Sequence, residues 1–281
     1  MTIVVTGATG HLGRLAVESL LSRGVPAGEI VAVGRGVEKI RDLADRGVDV
    51  RRASYDEPES LRAAFAGAEK LLFVSASDPG KRIPQHQNVI DAAKAAGIRK
   101  IVYTSAPFAD TTDLPIAGDH KATEEALKAS GIPAIFVRNS WYVENYNFAD
   151  ILEQGLVGAS GEGKLSLAPR VDYAEAAAAA ILTDDQDQQV YELGGPAVTK
   201  AEFAAEIARV TGRDVTYTDL TPEKYEEFLT GAGQPPFVAA LFAGVERSTT
   251  GGALDTGSAD LEKLLGRPAT PLSEAIRAAL S

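Results

Sequence analysis

Eight residues near the amino terminus, Thr6-Gly7-Ala8-Thr9-Gly10-His11-Leu12-Gly13, constrain this chain more than any other stretch. Before them stands Thr2-Ile3-Val4-Val5, a β-branched run with the composition of a buried strand. After them Leu12, Leu15, Ala16 and Leu20 recur as one face of a helix. The glycines therefore sit at a strand-to-helix turn.

The first amides of a helix have no partner inside it, and that end carries partial positive charge, so a phosphate is welcome there. Gly7 is expected to make the tight turn, Gly10 to leave room for a pyrophosphate and Gly13 to let the helix pack on the strand. The spacing is G-x-x-G-x-x-G, not the simplest dinucleotide pattern, and a ligand-free turn would use the same residues. Strand and helix on either side favour a dinucleotide held by Gly7, Thr9, Gly10, His11, Leu12 and Gly13.

With 281 residues, the chain is long enough for one large domain or a domain with a smaller lobe. It has no cysteine, which excludes disulfides, thiolate metal sites and thiol nucleophiles. His11, His86 and His120 are scattered, so no metal site is expected. A formal charge of -11 has the wrong sign for nucleic-acid binding. There is neither a basic-then-apolar leader nor a bilayer-length apolar run, which gives the expectation of a cytoplasmic protein off the membrane.

Strand and helix patterns then alternate. Ile30-Val31-Ala32-Val33 is a strand, followed by Gly34-Arg35 with no acid at the strand end. Such an acid would receive a ribose 2′-hydroxyl, whereas Arg35 can fork onto a 2′-phosphate, which selects NADP(H). A surface arginine opening the helix 37–46 is the other reading. Further strands are expected at 48–50, 70–74, 101–103 and 134–137, with helices at 58–66, 84–96 and 120–128 and a loop over 106–119. Ser75, Ala76 and Ser77 leave a strand at its carboxyl end, where open α/β sheets bind ligands, although a serine turn needs no ligand. The expected fold is α/β, a doubly wound, Rossmann-like parallel sheet.

Beyond Arg138 the rhythm changes. Residues 139–146 place the only tryptophan, Trp141, and two tyrosines right after a strand, as the wall of a flat pocket or as a cap on a second core. A glycine-rich loop over 155–170, an alanine-rich helix over 174–182, a returning strand at 189–193 and helices near 200–211, 222–229, 237–245 and 258–265 complete the pattern. The expected division is a dinucleotide-binding domain, 1–139, completed by the strand near 189–193, and a smaller, mainly helical lobe, 140–281.

The glycine stretch, Tyr103-Thr104-Ser105, Arg138-Asn139-Ser140-Trp141-Tyr142 with Glu144-Asn145-Tyr146, and Leu261-Glu262-Lys263-Leu264-Leu265-Gly266-Arg267 resemble the NmrA-like group of atypical short-chain dehydrogenase/reductases. Within that group the resemblance is to bacterial NAD(P)H:quinone oxidoreductases of type 2, nearly end to end. It implies NADPH across the sheet edge and hydride delivery to a quinone without a flavin. On matching positions it implies that Gly7 to Gly13 hold the pyrophosphate and Arg35 the 2′-phosphate. Ser75, Ala76 and Ser77, and Ser140, Trp141, Tyr142, Val143, Glu144 and Asn145, line the ribose and nicotinamide.

The chain departs from the broader superfamily's Tyr-x-x-x-Lys pair, because four residues before Lys121 stands Ala117. The usual proton donor is missing, and Tyr103, on another strand, cannot be assumed to replace it. Quinone reduction survives this loss, since a hydroquinone anion can take its proton from water or a nearby hydroxyl. Candidate catalytic residues are His120 as a proton relay, Lys121 as a ribose or substrate contact or a solvated lysine, and Tyr142 beside Trp141 and Asn145 in a planar slot. The alternatives are a redox sensor that binds the dinucleotide without turnover and, less favoured, a nucleotide-sugar epimerase. The partner expected is a small planar acceptor, and a homodimer is compatible with the sequence.

Overall fold

A computed structural model describes residues 1–78, 80–183 and 190–280. The chain runs β1 (Ile3–Val5), α1 (His11–Ser22), β2 (Ile30–Gly34), α2 (Arg41–Asp45), β3 (Asp49–Arg52), α3 (Pro58–Phe65), β4 (Lys70–Phe73), α4 (Arg82–Ala96), β5 (Lys100–Ser105), α5 (Ala117–Ser130) and β6 (Ala134–Asn139). It continues through α6 (Phe148–Gln154), β7 (Leu156–Gly158), β8 (Lys164–Ser166), α7 (Arg170–Leu182), β9 (Val190–Leu193), β10 (Ala197–Thr199), α8 (Lys200–Thr211) and β11 (Tyr217–Asp219). The last helices are α9 (Pro222–Gly231), α10 (Pro236–Thr250), α11 (Ala259–Leu265) and α12 (Leu272–Leu280).

Seven strands form one sheet in the order β3-β2-β1-β4-β5-β6-β9. The pairs from β3 through β6 are parallel, with Ile3 opposite both Ile30 and Lys70, and Ile101 opposite Ala134. Successive strands first step outward from β1 to β3, then resume at β4 on the other side of β1. The winding thus reverses between β1 and β4, and a crevice opens at the carboxyl ends of those two strands.

The expected doubly wound, Rossmann-like sheet is present, and its residues alternate between two buried faces. Val4, Val31, Val33, Leu71, Phe73, Ile101, Tyr103 and Phe136 form one core with Leu61 and Phe65 of α3, Val89, Ile90 and Ala93 of α4 and Leu127 of α5. On the opposite side α1 and α7 pack on each other, α1 against β1 and β2 and α7 against β4 and β5. The alanines of α7 make this possible, because Ala174, Ala176, Ala177, Ala178 and Ala180 are all buried and small enough for close helix approach. Two strand-opening lysines close the far end of α7, Lys70 Nζ donating to the Ile181 carbonyl at 3.0 Å and Lys100 Nζ to that of Thr183 at 2.5 Å. Cations at a helix carboxyl end satisfy carbonyls that have no helical partner.

The chain forms two compact units, more interleaved along the sequence than a division at 139/140 with a strand returned from 189–193. The first comprises 1–105, 119–138 and 170–191; the second comprises 106–118, 139–169 and 192–281. The segment 170–191 joins the first because α7 covers a sheet face, and the stretch after β5 joins the second because Leu114 and Ala117 enter its core. Gln189, the expected start of the returning strand, lies outside the described residues.

The second unit is less purely helical than its composition suggests. Residues 155–170 are not one loop: β7 pairs parallel with β11, and β8 pairs antiparallel with β10. Helices α6 and α12 also form there without having been expected, and α5 begins at Ala117 despite Gly118. The first amides of a helix need no helical partner, so glycine in its first turn gives up little. Inside this unit Lys200 and Glu246 form a buried ion pair, and Glu246 Oε2 also accepts the Ala159 amide at 2.9 Å. Burial pulls the Lys200 ammonium below the ordinary lysine range, while Glu246 pulls it back.

Candidate functional site

The glycine turn closes on itself as its spacing requires. Gly7 lies at φ +64°, a left-handed backbone that glycine adopts without strain, and its carbonyl accepts the Gly10 amide at 2.9 Å. At Gly13 a Cβ would overlap the Gly7 carbonyl and come within 2.8 Å of the Ala8 nitrogen, so only glycine lets α1 rest on the turn. A Cβ on Gly10 would meet only the Gly7 oxygen, at 3.4 Å. Gly10 is the N-cap of α1 with no side-chain cap, and the first turn of α1 holds no acid. Bare amides, one open side and no competing carboxylate suit a pyrophosphate.

Two contacts that the sequence did not reveal brace this turn. A Cβ on Gly34, the last residue of β2, would strike the Thr9 side chain, so the strand end is bare to admit it. Tyr55 donates its hydroxyl to the Val74 carbonyl at 2.7 Å and lies 2.6 Å from Thr6 Oγ1, which joins the ends of β1 and β4. Burial pushes the Tyr55 phenol above its ordinary pKa, so it stays a neutral linker.

Arg35 is exposed just beyond β2. Its guanidinium makes no hydrogen bond or ion pair among the described residues, while Arg52 donates to its backbone carbonyl at 2.7 Å. A free guanidinium at this strand end is what a 2′-phosphate would use.

The turn after β4 is held from within. The Ser75 amide donates to Thr104 Oγ1 at 2.9 Å, the Ala76 amide to His86 Nε2 at 2.9 Å, and Arg82 Nε to the Ala76 carbonyl at 2.9 Å. Ser77 is exposed. These bonds account for the shape of the turn without a ligand, and its orientation still presents it at the carboxyl edge of the sheet.

Behind that turn lies a polar cluster built from histidines that are far apart along the chain. His86 of α4, Tyr103 of β5 and His120 of α5 are all buried. Tyr103 Oη is 2.8 Å from His120 Nδ1 and 3.5 Å from His86 Nδ1, and His86 Nδ1 is 2.8 Å from Thr123 Oγ1. Burial pushes His86 down to about 3 and His120 well below its ordinary range, with the nearby Arg82 guanidinium adding to both shifts. Both imidazoles are neutral at physiological pH. A charged relay through His120 is therefore disfavoured.

Lys121 follows His120 directly but lies on the exposed side of α5, so the two candidates are separated by the helix turn. Ala117, at the position of the absent tyrosine, is buried as the first residue of α5. One signal was available: Glu124, four residues after His120, grips Arg138 through bonds of 2.8 and 2.6 Å and accepts Ser105 Oγ at 2.7 Å. The Arg138 of the resemblance is thus a buried brace tying β6 to α5.

In the second unit, Ser140 is buried and donates to the Leu254 carbonyl at 3.0 Å. Trp141 and Tyr142 are half-buried, Val143 is buried, Glu144 is half-buried and Asn145 is exposed. Trp141 stands edge-on to Phe242, with ring centroids 6.3 Å apart, and packs on that unit's core. Asn139 donates to Tyr142 Oη at 3.1 Å, while its Oδ1 is buried with no hydrogen-bond partner among the described residues.

The model of an NAD(P)H-binding family matches residues 7–185. The chain belongs to this NAD(P)H-binding family. It is 43% identical over 278 residues to quinone oxidoreductase 2 of Escherichia coli strain K12, covering 98% of this chain and 97% of that one. It is 31% identical to the NAD(P)H azoreductase of Xenophilus azovorans over 98% of this chain and 97% of the relative. Among solved structures, the NADPH-dependent quinone oxidoreductase of Escherichia coli complexed with NADPH superposes with a TM-score of 0.95 at 42% identity, covering all of both chains. The triphenylmethane reductase of Citrobacter sp. gives 0.92 at 38%, over 100% of this chain and 99% of that one. As a family member the chain is an NAD(P)H-binding oxidoreductase, and within the first unit the uncapped helix end and the unpaired Arg35 fit the dinucleotide. No helix among the described residues is long and apolar enough to cross a membrane.

Proposed function

We propose that the protein reduces quinones by two electrons at the expense of NADPH, with no flavin. The observation that carries this reading is the whole-length likeness, at TM-score 0.95, to a quinone oxidoreductase solved with NADPH. Two other relatives are named for reducing an azo compound and triphenylmethane dyes, which, like quinones, are extended conjugated acceptors.

When bound, NADPH supplies the hydride. In this reading the amides at the start of α1, with Gly7, Thr9, Gly10, His11, Leu12 and Gly13, hold the pyrophosphate, and Arg35 takes the 2′-phosphate. Ser75, Ala76 and Ser77, with Ser140 to Asn145, line the ribose and nicotinamide, where the unpartnered Asn139 Oδ1 accepts a hydrogen bond. Trp141 and Tyr142 orient a flat acceptor. His120 and Lys121 are the remaining polar groups of the catalytic set, Lys121 as a ribose or substrate contact. A buried alanine at position 117 leaves no tyrosine to protonate an alkoxide, which suits an acceptor whose reduced form is a weak base. The same reading gives a cytoplasmic enzyme, free or as a homodimer, acting on small molecules and not on nucleic acid.

The test is purified protein with NADPH and a small benzoquinone. Loss of the nicotinamide absorbance well above the uncatalysed rate is expected. No loss above that rate rejects the enzyme and leaves a dinucleotide-binding protein without turnover.

A further inference from the structure

The hydrogen bonds around Tyr103 place the protons of His86 and Thr123, and Tyr103 itself lies between Thr123 and His120. The Ala76 amide can only donate, so His86 Nε2, 2.9 Å away, is unprotonated and the His86 proton sits on Nδ1. That N–H faces Thr123 Oγ1 at 2.8 Å, whose own proton goes to the Asp119 carbonyl at 2.8 Å. His86 Nδ1 is therefore a donor and cannot accept from Tyr103. The nitrogen acceptor open to the Tyr103 hydroxyl is His120 Nδ1, at 2.8 Å. If Tyr103 donates there, His120 must carry its proton on Nε2, and that N–H has no partner among the described residues.

We propose that Tyr103 is a positioning residue that locks His120 as the Nε2–H tautomer, and that this N–H donates a hydrogen bond to the quinone oxygen as it gains charge. The proposal rests on the quinone-reductase reading. Quinone plus hydride gives the hydroquinone monoanion, and one proton from water completes the hydroquinone, while NADPH leaves as NADP+. His120 keeps its proton throughout. A neutral imidazole is too weak an acid to give that proton up, and burial among His86, Tyr103 and Arg82 keeps the ring from becoming a stronger one. Its contribution is electrostatic: a donor already oriented where negative charge develops. Tyr103 thus does not replace the missing tyrosine of the superfamily. It fixes the ring that does a different task.

Nitrogen-15 NMR of histidine-labelled, NADP+-loaded protein reads the tautomer directly. The expected His120 spectrum has a protonated Nε2 and a bare Nδ1, and the reverse assignment overturns the proposal whether or not the protein turns over. In Tyr103→Phe the lock is lost: the His120 signals are expected to move toward a tautomer mixture and kcat for a small benzoquinone to fall on the order of tenfold, with NADPH affinity unchanged. His120→Gln should lose about a hundredfold in kcat, and adding Tyr103→Phe to it should cost nothing more, because the two act as a unit. A kcat within twofold of wild type in His120→Gln refutes the role. Should Tyr103→Phe fail to fold, the wild-type spectrum together with His120→Gln decides. A wild-type protein that reduces no quinone instead sinks the underlying reading, and the tautomer remains measurable.

Discussion

In the proposed reading, Arg35 is the residue on which cofactor choice turns. It extends from a strand end with no acid beside it to claim a ribose hydroxyl, and its guanidinium is uncommitted among the described residues. A charge-assisted contact to a phosphate contributes about 1.5–3 kcal/mol. Arg35→Ala is therefore expected to weaken NADPH binding roughly 10- to 100-fold while leaving NADH affinity near its wild-type value, as read by calorimetry. The gap should narrow as salt rises, because the site is exposed and screened. Equal losses for both dinucleotides would show that Arg35 does not touch the 2′-phosphate. Arg138 shows the opposite use of the same side chain: buried and clasped by Glu124, it is spent on structure.

At the scale of the element, the glycines at the start of α1 are expected to serve two functions. Gly13 is fixed by packing, since a methyl there would drive into the backbone of Gly7 and Ala8, which cannot swing aside as a side chain could. Gly13→Ala is expected to destabilise the unliganded protein by about 1–3 kcal/mol in denaturant titration, the usual range for overpacking. Gly10 has space beside it. Gly10→Ala should reduce unliganded stability by ~1 kcal/mol or less, the cost of an alanine at an N-cap, yet weaken dinucleotide binding sharply because its methyl stands at the uncapped helix end. If the two variants were to show the same pattern, the distinction between a packing glycine and a ligand glycine would be lost. The turn after β4 obeys a related logic: its backbone is held by Thr104, His86 and Arg82, so its exposed edge is preset before any ligand arrives.

For the whole molecule, the buried histidines set how stability varies with pH. His86 is pushed down to about 3 and His120 is also lowered, both mainly by burial, whereas an unfolded histidine titrates near about 6.5. Below that value the unfolded chain takes up protons that the native state refuses. Stability is therefore whole well above pH ~6.5 and declines as pH falls through that value toward the folded ones, by up to about 1.4 kcal/mol per pH unit for each histidine. Denaturant titrations at pH 7.5, 6.5 and 5.5 should show a small loss over the first interval and a clearly larger one over the second. Carboxylates whose pKa is lowered, such as Glu202 held by Thr199 and Glu206 held by Arg209, act in the same direction but only in more acidic solution. A flat response between pH 6.5 and 5.5 would mean that the histidine cluster is hydrated in solution.

The sequence by itself determined the cradle and the layering. A β-branched run, three spaced glycines and a helical apolar face lie within some twenty consecutive residues, and backbone geometry of that kind is encoded locally, so β1, the turn and α1 were legible before any fold was known. The repeating strand and helix patterns likewise announced a parallel sheet, because strands covered on both faces must be apolar throughout. What the tertiary structure decided is the company each polar side chain keeps. Sheet order brings α4, β5 and α5 together, so that His86, Tyr103 and His120, each seventeen residues from the next, share one buried network. It likewise commits Arg138 to Glu124 while leaving Arg35 unpaired, and it assigns α7 to the sheet and the stretch after β5 to the other unit. None of these follows from spacing along the chain, since a hydrogen bond depends on the distance between side chains that only the completed packing sets.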